Sequence, residues 1–341
     1  MPFSKRMKFS AIASVIAAVL GSFLIFLLNE PIRKDAVTAL IAAAAIFAVA
    51  LIVSFLLEGK TSKVRVPVYT LLILVSVCVI ASFLMYSIGM KFAFPGSSDE
   101  DAYESLLDVD GKVVEIEAGE LSGWRIPAIS VPADAKRPVI LYFGGNGENS
   151  STKVSNILNN DALTFLYRNY DFIYIDYPSY GNSGGTISEN SIMEYALAAY
   201  EAAASLDTTS GITVLSYSIG NGPAAYLAGS EEAEIDNLIM LAPYYSGLDL
   251  FNSNIDIFHG PLVLLAGFRM PAYKYAKNIT CPVTMIASAD DEVIPIESSR
   301  ALFAALTNNS ANFITVNEIG HNDFFSEHEV IDSIINSLEA A

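Results

Sequence analysis

The chain has 341 residues, of which 52% are hydrophobic and 16% are charged, with 37 acidic against 19 basic side chains. This composition excludes an intrinsically disordered chain, which carries more charge and too little apolar material to form a core. The net charge of −18 also argues against a nucleic-acid partner, because phosphate binding requires a concentrated basic surface.

The charge is distributed unevenly along the chain. Residues 1–90 carry eight Lys or Arg and three Asp or Glu, a net charge of +5. Residues 91–341 carry eleven and thirty-four, a net charge of −23. We therefore expect a membrane anchor in residues 1–90, a linker in 91–110 and a globular domain in 111–341.

Three segments of the expected anchor, residues 9–28, 36–57 and 66–90, contain no charged side chain. Each has the roughly 20 residues with which a helix crosses about 30 Å of hydrocarbon. The alternatives are buried core helices, or a cleaved signal peptide for the first segment, although a signal h-region has only about 7–15 residues. We predict three transmembrane helices that act as an anchor, because transporters usually need ionisable groups within the membrane.

Basic residues near the ends of these segments predict their orientation. Six of them precede the first segment or lie between the second and third: Lys5, Arg6, Lys8, Lys60, Lys63 and Arg65. Three lie on the other side: Arg33, Lys34 and Lys91. Because cytoplasmic flanks are enriched in Lys and Arg, we predict a cytoplasmic N-terminus and an extracytoplasmic globular domain, in the periplasm or outside the cell.

Beyond residue 111, short apolar runs alternate with helical patterns. An antiparallel pair is predicted at 113–117 and 124–129, and continuous apolar runs follow at 138–143, 172–175, 212–215, 238–241, 283–286 and 313–316. Strands of this character are buried on both faces of a parallel sheet. Helices are predicted at 188–205, 219–229, 297–307 and 324–338. The pattern predicts an α/β fold whose site lies at the carboxyl ends of the strands.

One connection, residues 244–280, is much longer than usual for a compact α/β domain. We interpret it as a lid over a substrate pocket, with ordinary helical packing as the alternative.

Ser218 is the candidate nucleophile. It follows the apolar run 212–215 and precedes a helical pattern, within Ser-Tyr-Ser-Ile-Gly. A tight turn from strand to helix presents a serine hydroxyl to its base, and a small residue such as Gly220 lets the backbone turn sharply. Ser216 stands where glycine is usual, and we expect it to strain this turn slightly.

His321 is the candidate base, because it follows the strand predicted at 313–316. His259 lies in the long insertion and His328 in the last predicted helix, so neither is favoured. A third residue is needed to orient the imidazole, and Asp290, Asp291 and Glu292 follow the preceding strand.

These motifs resemble those of the α/β-hydrolases, in the branch of serine aminopeptidase-like hydrolases and membrane-associated acyl-protein thioesterases. Residues 141–148, Leu-Tyr-Phe-Gly-Gly-Asn-Gly-Glu, resemble the oxyanion loop of that branch, and residues 176–185 are similar to its Asp-Tyr-x-x-Tyr-Gly-x-Ser-x-Gly turn. The Ser218 turn, the Asp-x-x-Ile-Pro motif and the Gly-His-Asn-Asp motif complete the resemblance, which covers about 113–338 and not the anchor.

The resemblance implies a role for each residue. The acid becomes Asp291, with Asp290 as the second choice. The backbone N–H groups of Asn146 and Ile219 would bind the oxyanion, each contributing about 3–4 kcal/mol to transition-state stabilisation. Two glycines of the loop, Gly144 and Gly145, would allow its close approach, although this branch often has histidine at the position of Gly144.

We therefore expect a membrane-anchored serine hydrolase that cleaves ester, thioester or amide bonds. Esterase or lipase-like activity is favoured over peptidase activity, because an anchored site meets lipid esters at high effective concentration. A catalytically idle scaffold and a protein whose membrane helices carry the function are the competing hypotheses. The sequence contains no motif for a metal or a phosphate-bearing cofactor, so none is expected.

Overall fold

The computed structural model describes residues 61–62, 88–109, 111–254, 259, 269–308 and 310–340. Two of the predicted membrane segments, 9–28 and 36–57, lie outside the described residues, as does 66–90 except for its last three residues. Among the described residues, no helix is both long and apolar enough to cross a membrane. The sheet and the candidate site belong to the unit formed by Met90–Ile257 and Arg269–Ala341.

An eight-stranded sheet forms the centre of this unit. Its strands are β1 (Val114–Ala118), β2 (Leu121–Ile126), β3 (Arg137–Phe143), β4 (Asp171–Ile175), β5 (Thr209–Tyr217), β6 (Asn237–Leu241), β7 (Val283–Ser288) and β8 (Ala311–Val316). They lie in the order β1-β2-β4-β3-β5-β6-β7-β8. β2 pairs antiparallel with both β1 and β4, whereas every other pair is parallel. The predicted antiparallel pair and the predicted mostly parallel sheet are both confirmed.

Helices connect and cover the strands. They are α1 (Glu100–Leu107), α2 (Ser150–Leu158), α3 (Phe165–Arg168), α4 (Glu189–Ala204), α5 (Asn221–Ala228), α6 (Gly247–Asn254), α7 (Ala272–Ala276), α8 (Ile296–Ala305) and α9 (His328–Glu339). Local sequence fixes several of their ends. Ser188 and Ser191 form a reciprocal capping box at the start of α4, which satisfies two backbone N–H groups that a helix start leaves unpaired.

The core lies between the sheet and its helices. All five residues of β4 and of β6 are buried, as are the last five of β3. Large aromatic side chains that are fully buried include Tyr142, Tyr174 and Tyr195. This continuous burial is why the central strands have apolar runs instead of an alternating pattern.

Two helical expectations differ from the structure. The last helix begins at His328 and not at residue 324, because residues 321–323 form a 3-10 turn and the buried Phe324 packs on Tyr217 beside it. Five helices were not predicted as elements, namely α1, α2 and α3, together with α6 and α7 in the long insertion. The first of these lies within the region expected to be a linker, and Asp99 caps it by accepting a hydrogen bond from the N–H of Ala102.

Candidate active site

Ser218 stands on a sharp turn between β5 and α5. Its φ of 54° lies in the left-handed region, which costs energy for a residue with a side chain and is characteristic of functional turns. A Cβ at Gly220 would lie only 2.3 Å from the carbonyl oxygen of Phe143. Only glycine fits there, so the turn packs directly against the carboxyl end of β3.

Asn221, which the sequence did not single out, holds this turn from below. Its buried side-chain amide donates to the carbonyl oxygens of Ser218 and Leu241, both at 2.8 Å, and of Ala242 at 3.2 Å. Its Oδ1 accepts a hydrogen bond from the hydroxyl of Ser216 at 2.8 Å. The expectation that Ser216 strains the turn is therefore wrong: Ser216 lies within β5 and helps to brace the turn, whereas the positive φ is at Ser218.

His321 lies between the serine and a carboxylate. Its Nε2 is 2.9 Å from the Oγ of Ser218, and its Nδ1 is 2.8 Å from the Oδ2 of Asp291. An ionised carboxylate only accepts hydrogen bonds, so this contact favours the tautomer with the proton on Nδ1. Nε2 then presents a lone pair to the serine hydroxyl, which is the arrangement that general-base catalysis requires.

The three consecutive carboxylates after β7 have three different contacts. Asp291 meets the imidazole, and its other oxygen accepts the backbone N–H groups of Val293 and Ile294, both at 2.8 Å. Asp290 accepts the N–H of Glu318 at 2.7 Å, and Glu292 accepts the N–H of His321 at 3.1 Å. All three therefore join the turn after β7 to the loop after β8, and Asp291 is the one that reaches the histidine ring.

The other two histidines lie on exposed positions. His259 is exposed in the long insertion, and His328 is exposed at the start of α9. The central part of the predicted lid, 255–258 and 260–268, lies outside the described residues. What is described of the insertion includes the helices α6 and α7.

The loop after β3 is held by a partly buried carboxylate that sequence reasoning missed. One oxygen of Glu148 accepts the N–H of Gly145 at 2.7 Å and the hydroxyl of Tyr142 at 2.8 Å. Its other oxygen pairs with the ammonium of Lys153 at 2.8 Å. Burial alone raises the pKa of Glu148, but the Lys153 ammonium and the Gly145 N–H outweigh it and hold the pKa below its ordinary value.

The same loop explains why glycine occupies position 144. A Cβ there would lie 2.0 Å from the hydroxyl oxygen of Tyr174 and 3.1 Å from a carboxylate oxygen of Glu148. The Tyr174 hydroxyl donates to the carbonyl oxygen of Glu148, and the Tyr177 hydroxyl donates to that of Gly144. Tyrosine hydroxyls thus fill the space of a side chain at position 144 and order the loop in its place.

Asn146 and Ile219, the two expected oxyanion donors, lie in the loop after β3 and the turn after β5. The side chain of Asn146 donates to the carbonyl oxygen of Phe92 at 2.6 Å, so this loop is tied to the segment that precedes α1. Ile219 is buried, and its carbonyl oxygen accepts the hydroxyl of Tyr244 at 3.2 Å. The close packing of Gly220 on Phe143 and Gly144 brings the loop and the turn together.

The turn at 176–185 helps to fix the loop after β3, through hydrogen bonds to the start of α2. Asp176 accepts hydrogen bonds from the N–H and the hydroxyl of Ser150, both at 2.6 Å, and so fixes the start of α2 directly after the loop. Burial raises the pKa of Asp176 to about 6. A Cβ at Gly181, where φ is 47°, would lie 2.2 Å from the Asp176 carboxylate, which accounts for the glycine.

No family model matches the chain. Among curated proteins, the rat lysophosphatidylserine lipase ABHD12 is 23% identical over 188 residues, which are 50% of this chain and 45% of that protein. An uncharacterized protein of Mycobacterium tuberculosis is 23% identical over 262 residues, 75% of this chain and 88% of that protein. The chain thus spans about half the length of the curated lipase.

Solved structures define the fold. An esterase of Pyrococcus furiosus, Pf2001, superimposes with a TM-score of 0.55 at 16% identity, over 73% of this chain and 98% of that one. Est1E from Butyrivibrio proteoclasticus gives a TM-score of 0.52 at 14% identity, over 67% of this chain and 98% of that one. The described part of the chain therefore has an α/β-hydrolase fold.

Glu148 and Asn221 are residues that sequence reasoning passed over, and the contact that Glu292 makes differs from the one considered for it. Each acts through contacts with segments that are distant along the chain or with the main chain. Glu148 precedes Lys153 by five residues, outside the three- or four-residue spacing at which helical side chains pair, so no local spacing indicated its ion pair. For Asn221 no local pattern indicated the contact, and Glu292, which was considered as a candidate acid, accepts the backbone N–H of His321 instead of contacting its ring.

Proposed function

We propose that this protein is a serine hydrolase of esterase or lipase type. The observation that carries the proposal is the hydrogen-bonded series Ser218–His321–Asp291, with 2.9 Å and 2.8 Å between successive partners, at the carboxyl ends of β5, β7 and β8. Nucleophile and base within hydrogen-bond reach, with the base oriented by a third group, are the signature of covalent acyl transfer.

The proposed reaction proceeds through an acyl-enzyme. The Oγ of Ser218 attacks the ester carbonyl while Nε2 of His321 takes the hydroxyl proton, and the resulting imidazolium is stabilised by Asp291. His321 then gives this proton to the leaving alkoxide. Water, activated by the same nitrogen, attacks the acyl-enzyme and releases the acid, which restores Ser218.

The oxyanion of each tetrahedral intermediate would be bound by the backbone N–H groups of Asn146 and Ile219. Such donors stabilise charge that develops only in the transition state, so each is worth about 3–4 kcal/mol. The Glu148–Lys153 pair supports this role, because it fixes the N–H of Gly145, directly before Asn146 in the loop.

An ester substrate is favoured over a peptide or thioester by the names of similar proteins. The curated relatives include lysophosphatidylserine lipases, and the solved structures include esterases. Peptidase activity and a catalytically idle scaffold are the competing hypotheses, and two experiments distinguish them.

Labelling with a fluorophosphonate tests the chemistry. The full chain in detergent should be labelled, and Ser218→Ala should abolish the label, because the probe reacts only with an activated serine. Ser205→Ala, at an exposed serine that ends α4, is the matched control and should be labelled like the wild type. A folded wild-type protein that takes up no label would support the idle scaffold.

The substrate class is then tested by comparing the hydrolysis of p-nitrophenyl esters of increasing acyl length with that of aminoacyl anilides. We expect hydrolysis of the esters and little or none of the anilides. Faster cleavage of the anilides than of every ester would overturn the esterase proposal in favour of a peptidase.

We further propose that residues 1–90 anchor the enzyme in the bilayer through three helices, with 111–341 as the catalytic domain and 91–110 as a connecting segment that packs against that domain. The lengths of the uncharged segments and the distribution of basic residues support an N-terminus in the cytoplasm and a catalytic domain outside it. Retention in membranes after alkaline carbonate washing, and activity of an alkaline phosphatase fused after residue 341, test both points. A carbonate-soluble protein or an inactive fusion would contradict them.

A further inference from the structure

Tyr217, directly before the candidate nucleophile, contacts His321 in two ways. Its hydroxyl donates to the carbonyl oxygen of His321 at 2.6 Å. Its ring stacks on the imidazole, with 5.3 Å between ring centroids and 28° between planes. One side chain therefore holds both the main chain and the ring of the histidine, although the proposed catalytic steps give it no part.

The surroundings of Tyr217 keep it in place and keep its hydroxyl protonated. Phe324 and Phe325 pack against its ring at centroid distances of 6.1 and 5.8 Å. Burial raises the pKa of Tyr217 far above its ordinary value, and the nearby carboxylates raise it further: Glu148, Asp291, Glu292 and Asp323. The phenol is therefore protonated and a hydrogen-bond donor at neutral pH.

The same ring also limits the loop after β3. A Cβ at Gly145 would lie 2.8 Å from two carbon atoms of the Tyr217 ring. The loop therefore packs directly on the ring, and the Glu148 carboxylate accepts a hydrogen bond from the Gly145 N–H. Any movement of the ring changes the position of the loop as well as that of the histidine.

We propose that Tyr217 is a positioning residue, which fixes His321 and the loop after β3 relative to Ser218. The inference rests on the proposed hydrolase function. Tyr217 acts through the histidine carbonyl and not on a reacting atom. Its importance follows from the steep dependence of acyl transfer on geometry, in which an error of about 1 Å costs on the order of a hundredfold in rate.

Two substitutions separate the hydroxyl from the ring. Tyr217→Phe keeps the stacking and removes the hydrogen bond to His321, and should lower kcat for a p-nitrophenyl ester about tenfold with KM within about twofold of the wild type. Tyr217→Leu also removes the ring beneath Gly145, and should lower kcat about a hundredfold. In each variant, the rate of fluorophosphonate labelling should fall by the same factor as kcat.

Tyr170→Phe is the matched control. The Tyr170 hydroxyl also donates to a backbone carbonyl, that of Leu338, at 3.1 Å, but it precedes β4 at the opposite end of the sheet. Tyr170→Phe should leave kcat and KM at wild-type values. A fall in activity that is the same in Tyr217→Phe and Tyr170→Phe would show loss of folded protein and overturn the positioning role.

The outcomes also distinguish this inference from the hydrolase proposal. If the wild-type protein is neither labelled nor active, the hydrolase proposal itself fails. If the wild type is labelled and Tyr217→Phe is labelled and turns over ester at the same rate, the hydrolase proposal stands and the role of Tyr217 is wrong.

Discussion

Asn221 contributes to stability through a side chain that lies entirely within the protein. It donates to three carbonyl oxygens, those of Ser218, Leu241 and Ala242. Removal of the amide takes a hydrogen-bond donor from each of these carbonyls, although that of Ser218 keeps the backbone N–H of Asn221, and each buried group left unsatisfied costs about 1–3 kcal/mol. The nucleophile turn and the end of β6 are therefore stabilised by the same residue.

We expect Asn221→Ala to lower the free energy of unfolding by ~3 kcal/mol or more, as measured by urea denaturation. The control is Asn159→Ala, because the exposed Asn159 amide donates to the carbonyl of Ser155 at the end of its own helix and its loss should cost less than ~0.5 kcal/mol. Equal losses for the two variants would contradict the bracing role of Asn221.

Asp176 makes stability depend on pH. Burial raises its pKa from the ordinary 3.8 to about 6, although the Ser150 hydrogen bonds oppose this. The folded chain therefore holds the proton more tightly than the unfolded chain. The corresponding stability is complete below about pH 4 and is lost as the pH rises through about 6, a change of ~3 kcal/mol.

Substitution by asparagine removes this titration. The difference in free energy of unfolding between Asp176→Asn and the wild type should increase in favour of the variant by ~3 kcal/mol between pH 4 and pH 8, as measured by urea denaturation at each pH. Because all other titrating groups are shared, parallel stability curves would show that the pKa of Asp176 is not raised.

At the residue scale, the sequence was informative where chemistry follows a spacing. Ser218, Asp291 and His321 each follow an apolar run, so their positions at strand ends could be inferred. Tyr217 and Asn221 stand next to these motifs, but their contacts depend on how β6 and the loop after β8 fold back on the turn. Such contacts have no local pattern.

The segment before α1 behaves as an element of the fold. Phe94 is buried and packs edge-to-face on Tyr177 at 5.1 Å, and the carbonyl oxygen of Ser97 accepts the N–H of Gly181 at 2.7 Å. Since Phe92 also binds Asn146 through its carbonyl oxygen, the chain that enters the domain is bound to the loop after β3.

Phe94→Ala should therefore lower the free energy of unfolding by ~3–5 kcal/mol, as for other buried phenylalanines. Phe92→Ala is the paired control, because its side chain is 60% exposed and its backbone carbonyl is retained, and should cost less than ~1 kcal/mol. Thermal unfolding of the two proteins measures the difference. A Phe94→Ala protein as stable as Phe92→Ala would mean that the segment is not part of the folded unit.

Element prediction succeeded for strands and failed for short helices. The continuous apolar runs of β3, β4 and β6 are unambiguous, because both faces of these strands are buried. Helix α2 has polar residues over much of its length, and its burial comes from packing on α1, β2 and β4. The region of α1 resembles a linker in composition, and only its packing on α2 and β2 distinguishes it.

For the whole molecule, the charge of −23 on residues 91–341 should act on substrates. An acidic surface repels anions over about 30 Å at 0.01 M salt but over only about 8 Å at 0.15 M. We expect kcat/KM for an ester with a carboxylate in its acyl chain to rise at least about threefold from 0.01 to 0.5 M salt. The uncharged methyl-capped analogue should change little, and an equal salt response of both esters would contradict this.

The order of the site residues along the chain determines when the site is completed during biosynthesis. Ser218 and His321 are hydrogen-bonded although 103 residues separate them, and β8, which precedes the histidine, joins the sheet only through β7. At about 5–20 residues per second, a ribosome adds the histidine about 5–20 s after the serine. Throughout that interval the nascent chain carries Ser218 without His321, so the proposed hydrolysis cannot begin until synthesis of the domain is nearly complete.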